Sequence, residues 1–110
     1  MEIATDKVGE VIVLAREIAQ DMTGAEAEFE GLIEALDVDE RGDLVALVWI
    51  GRGEFDPEEW DEAREAALEE ATAPLAAYLK GDPQLADHLE AGLEAMGASA
   101  RDAEDDALAP

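Results

Sequence analysis

Residues 44–60 read LVALVWIGRGEFDPEEW. Leu44 to Ile50 is an unbroken apolar run, and the stretch holds both tryptophans, Trp49 and Trp60. A run with no polar residue does not by itself separate a helix from a buried strand. Three features favour helix. Asp39 stands ahead of it as an N-cap, with Glu40 near the positive helix end. Gly51 and Gly53 offer a helix exit. The only candidate partner strand, Val11 to Leu14, sits inside a helical pattern. A helix apolar on every side must be covered by the others, so the expected architecture is all-α, about five helices packed around this third one.

After the glycines, Phe55-Asp56-Pro57-Glu58-Glu59-Trp60 is a strong helix start. Asp56 is the expected N-cap, Pro57 the first helical residue and Glu59 the acid of a capping box. Phe55 is expected to pack on Trp60 as a hydrophobic staple. Trp60, Ala63, Ala67, Leu68 and Ala71 then recur on one face. Glu58, Asp61, Glu62, Glu65, Glu69 and Glu70 face water or a partner. Thr72-Ala73-Pro74 interrupts the pattern, because proline kinks or starts a helix. Leu75, Tyr78 and Leu79 continue it to Lys80. Gly81 ends that segment, and Asp82-Pro83 caps a last helix with Leu85, Leu89, Leu93 and Met96 inward, stopped by Gly97.

Ahead of the central run, Val8, Val11, Ile12, Ala15, Ile18, Ala19 and Met22 recur at helical steps. Thr5 or Asp6 is the expected cap, and Gly24 the expected stop. A shorter helix over 26–36 buries Phe29, Leu32, Ile33 and Leu36; Gly31 is its weak point and leaves room for close packing.

The chain has 110 residues, enough for one domain. Apolar residues make up 48%, but 22 of them are alanine, so the core rests on the larger side chains. Thirty acids against seven bases give a net charge of −23. Such a field repels phosphate backbones and anionic membranes and favours basic partners. There is no cysteine, which excludes disulfides, zinc–thiolate sites and thiol catalysis. The N-terminus lacks a secretory pattern, and no apolar stretch nears the roughly 18 residues of a membrane span. The expected location is the cytoplasm.

The central LVALVWIGRGEFDPEEW, followed by YLKGDPQLADHLEAGLEAMG, resembles a short bacterial domain family of unknown function, number 3775 in that series. The resemblance covers roughly residues 26–97, and its specific part is the GRG segment before the acidic tryptophan motif. It implies a small helical domain and carries over no activity, cofactor or catalytic residue.

Asp37, Asp39 and Gly42 look like the opening of a calcium loop. Arg41 and Val48 stand where two ligands are required, so the acids are read as helix caps. Gly51-Arg52-Gly53 lacks the length and lysine of a phosphate loop. Arg52 is expected to pair with nearby acids such as Asp56 or Glu59. If a site exists, Arg52 is its anchor for a carboxylate or phosphate. His88 is the only histidine, with no nucleophile constellation, and reads as a boundary residue. The acids of helix four lack the Glu-x-x-His pairing of paired-metal bundles. Trp49 and Trp60 read as core or interface anchors.

These readings give one helical domain over 1–97 and a disordered acidic tail over 98–110. They point to a non-catalytic interaction module that binds a basic protein or forms a homodimer, with no cofactor, nucleic acid or membrane. The alternative is a small ligand-binding protein or enzyme with an anion site at Arg52, joined by Asp56 and His88.

Overall fold

The computed structural model describes residues 1–70 and 74–108. Among them are seven α-helices and no strand. These are α1 Thr5–Ala19, α2 Ala25–Ala35, α3 Val38–Gly51, α4 Trp60–Glu70, α5 Leu75–Lys80, α6 Leu85–Ala95 and α7 Ala100–Leu108. A 3-10 turn over Pro57–Glu59 leads into α4.

The deciding run is helical, and Gly42 to Val48 is buried residue after residue. Its cap is Asp37, two residues earlier than expected. Asp37 accepts from the Glu40 amide at 2.8 Å, and Glu40 returns the bond to the Asp37 amide at 3.0 Å. That capping box ties off two of the amides a helix start leaves unpaired, and Asp39 is left to pair with Arg64. At the other end the Glu54 amide reaches the Trp49 carbonyl and the Gly53 amide the Ile50 carbonyl, both 3.0 Å. This Schellman closure needs a left-handed residue, and Gly53 takes it at φ +83°.

Gly51 has a different task from the expected exit. A Cβ there would lie 1.8 Å from the His88 carbonyl oxygen, and one on Gly92 would lie 2.2 Å from that of Leu47. Two bare glycines thus let α3 and α6 meet backbone to backbone. Gly9 does the same for α1 and α7, with 2.1 Å to the Ala103 carbonyl oxygen. Gly31, the expected contact point, has open space beside it.

The helices do not all gather around α3. It packs between α4 and α6, while α1 packs on α7, α6 and α2, and α6 joins the two groups. The helix count differs from the expected five for two reasons. Pro74 stands at the N-cap of a separate α5; the Ala71, Thr72 and Ala73 part of that expectation lies outside the described residues. The second reason is the expected disordered tail, which forms α7 up to Leu108. Asp102, Asp105 and Asp106 face outward while Glu104 turns in to Arg16, Ala100 and Ala103 are buried, and Ser99 Oγ accepts from the Asp102 amide at 3.1 Å. Small side chains bury little area each, but they allow the close approach at Gly9.

Helix starts and stops shift in other places. The N-cap of α1 is Ala4, with no side-chain bond, so Thr5 and Asp6 lie inside the first turn. The chain enters that turn already anchored. The buried Asp43 carboxylate accepts from the Ile3 amide at 3.0 Å and also from the Glu2 amide. The α1 stop falls on Asp21, at φ +56°, in another Schellman closure, and Gly24 instead begins α2. Met22 is consequently outside α1 and exposed.

Candidate functional site

Aliphatic side chains fill the interior, and Phe29 is the one aromatic residue that is fully buried. The other four lie partly open to water. Three of them form a strip at the C-terminal end of α3. Trp49 stacks on Phe55, with ring centroids 6.0 Å apart and planes 25° from parallel. The Trp49 indole N–H donates to the Tyr78 hydroxyl at 3.0 Å. Phe55 therefore meets Trp49 in the only ring contact found among the described residues, not Trp60 as the staple reading expected. The Schellman turn at Gly53 swings the chain back so that Phe55 returns to the last turn of α3.

Arg52 follows Trp49 by three residues, at the C-cap of α3, where a cation offsets the negative end of the helix dipole. Its side chain is exposed and reaches Glu54 at 3.5 Å, not Asp56 or Glu59. Asp56 and Glu59 are occupied in their own capping box, with 2.9 Å from the Asp56 amide to Glu59 Oε1. Trp60 is half-buried at the start of α4. Of the four expected site residues, Trp49 and Arg52 lie together; Asp56 serves as a helix cap.

Arg52 also lines a cleft of about 330 Å³ with Val48, Tyr78, Leu79, Gly81, Asp82, Pro83 and His88. Here the lone histidine has a partner. His88 Nδ1 lies 2.6 Å from Asp82 Oδ2, while Asp82 Oδ1 accepts from the Gln84 amide at 2.9 Å. Burial pushes the Asp82 carboxyl up, but the His88 bond, the Gln84 amide and nearby Arg52 together bring it below the usual aspartate range. Asp82 thus remains a carboxylate. Asp82-Pro83 does not cap α6 directly. It forms the turn before it, and Gln84 is the N-cap. Sequence reasoning missed Asp82 as a member of this cleft, because it was read as a cap.

A model of the family described as "Protein of unknown function (DUF3775)" matches residues 26–98. The chain belongs to the DUF3775 family. No curated protein and no solved structure matches it. The DUF3775 span runs from α2 to α6 and includes Trp49, Arg52, Phe55, Tyr78, Asp82 and His88. The helices flanking the DUF3775 span, α1 and α7, pack on each other.

The remaining cations of the chain are largely committed to internal bonds. Lys7 pairs with Glu40, Arg16 with Glu90 and Glu104, Arg64 with Asp39 and Asp43, and Lys80 with Glu30. Arg41 donates to the Leu36 and Glu34 carbonyls at the end of α2. No helix among the described residues is long and apolar enough to cross a membrane.

Proposed function

We propose that this domain is a non-catalytic protein-interaction module with a basic partner. The disposition of charge carries the reading. Most cations are tied to carboxylates or helix ends of the same chain, so among the described residues few are free to offset the many exposed acids that have no cation beside them. Exposed acids line α2, α4 and α7, including Glu28, Glu34, Asp61, Glu62, Glu65, Asp105 and Asp106. A net charge of −23 raises the encounter rate with a cationic surface and lowers it with a second acidic copy or a nucleic acid. Self-association remains compatible only where local contacts overcome that repulsion. We take the domain to act in the cytoplasm. Affinity capture from its own cell extract at low and moderate salt tests the reading. A partner of high isoelectric point that washes off with salt is expected. Retention of acidic proteins alone, or of none, at both concentrations overturns it.

A second reading is favoured by one observation, the cleft beside Arg52. A small anion there would meet the guanidinium, the Tyr78 hydroxyl and the His88 imidazole, against the repulsion of the Asp82 carboxylate in the same cleft. Titration with phosphate or a small carboxylate, followed by amide NMR, tests it. Shifts confined to the cleft and lost in Arg52→Ala support a ligand-binding protein. An unchanged spectrum removes that reading.

A further inference from the structure

We infer that the strip of Phe55, Trp49 and Tyr78 is the docking surface for an extended lysine- or arginine-rich segment of a partner protein. The inference rests on the basic-partner reading above and adds the surface and the chemistry of recognition.

Aromatic side chains contribute most where they are buried, yet here only Phe29 is fully buried, while Trp49 and Phe55 pack half-buried against the core with part of each ring open to water. Tyr78 is 38% exposed. The three rings are set before any partner arrives. A Schellman turn returns Phe55 to Trp49, a stack fixes their relative tilt, and a hydrogen bond fixes Trp49 against Tyr78. Rigid rings bind with little further loss of conformational freedom.

Charge selects the occupant. Glu54 and Asp56 flank Phe55 in the chain and are exposed. Asp82 stays ionised in the cleft that Tyr78 lines. Cations of a partner can lie against ring faces while their neighbours meet these carboxylates at the edge. Arg52 lies 3.5 Å from Glu54, so a partner's cations share that carboxylate with it, and removing Arg52 would free Glu54 for them. A second copy of the chain would bring another −23 to the same surface, so a basic segment fits better than self-association.

The test uses the full chain with Trp60→Phe, which leaves Trp49 as the sole indole, and an unstructured peptide of about ten residues alternating lysine and serine. At low salt the peptide is expected to give a saturable change in Trp49 fluorescence, with affinity falling about tenfold or more as salt rises from about 50 to 300 mM. By calorimetry, Tyr78→Ala is expected to weaken binding about three- to tenfold, with Trp49→Leu weakening it further. Tyr78→Ala carries the test if Trp49→Leu fails to fold, because Tyr78 is exposed. Arg52→Ala is expected to leave affinity unchanged or raise it. Binding that both aromatic variants retain in full would place the peptide on other acids; the surface falls while the basic-partner reading stands. Loss of peptide binding in Arg52→Ala also overturns the surface. Absence of binding by the parent protein at low salt overturns both.

Discussion

Asp43 sits within α3 with no exposure to solvent, and three groups converge on it. Arg64 Nε lies 2.7 Å from one oxygen, and the Glu2 and Ile3 amides share the other. A buried carboxylate is tolerated only when its lone pairs are filled. Asp43→Asn keeps the shape but removes the negative charge, and its NH2 must face either the Arg64 guanidinium or the two amides, donor against donor. The expected loss is about 2–4 kcal/mol, read as a lower urea midpoint at unchanged slope. A change within about 0.5 kcal/mol would mean the charge does not organise the amino end. Glycine gives a paired prediction. Gly92→Ala drives a methyl into the Leu47 carbonyl, which neither backbone can avoid, and should cost about 3 kcal/mol or unfold the domain. Gly31→Ala meets open space in an exposed helix and should stabilise by about 0.5–1 kcal/mol. Comparative urea melts check both signs. In the sequence these two residues look alike, each a glycine inside a helical pattern. Periodicity identifies the buried face of a helix but not which neighbour comes closest, so only the folded arrangement tells them apart.

Three helices share one guanidinium. Arg16 of α1 bonds Glu90 of α6 at 2.6 Å and also Glu104 of α7. Burial pushes Glu90 up, but the bonds to Arg16 and Glu104 bring it below the ordinary glutamate value. Glu104 sits above that value, raised by burial and by Glu90 beside it. Glu90 therefore contributes stability that is present above its unfolded pKa and lost as pH falls through the folded one. Glu104 contributes stability that is present below its unfolded pKa and lost as pH rises through the folded one. Arg16→Gln leaves two neighbouring carboxylates to repel when both are ionised. After discounting for the exposed guanidinium, the expected cost is about 1 kcal/mol at pH 7 and smaller near pH 4, where Glu104 has taken up its proton and only the Glu90 pair remains. Urea melts at the two pH values check this; an equal loss at both would assign it to packing. Of the elements, α3, α4 and the Gly97 stop were legible because caps, proline and glycine act over a few residues. The last helix was not. Its signals, Ser99 three residues before Asp102 and alanines at 100, 103 and 107, were outweighed by an acidic, low-bulk composition that fits disorder equally well. The site divided in the same way. Trp49 and Arg52 share a helix end and could be foreseen together, whereas Asp82 and His88 meet across a turn whose shape no spacing rule specifies.

At the scale of the molecule, repulsion among 30 acids opposes compaction. Raising salt from about 20 to 300 mM shortens the screening length to a few ångströms and should raise the melting temperature by several degrees. A fall with salt would show that the internal ion pairs outweigh the outward field. The same melts over a hundredfold dilution separate a monomer, whose midpoint stays constant, from an assembly, whose midpoint drops. The backbone of α1 touches that of α7 at Gly9 and Ala103, two points separated by nearly the whole chain. A ribosome makes α1 before α7, so α1 waits for the intervening helices before its closing partner exists. The closure of α1 on α7 is therefore a long-range contact that the domain gains only after the helices between them are made.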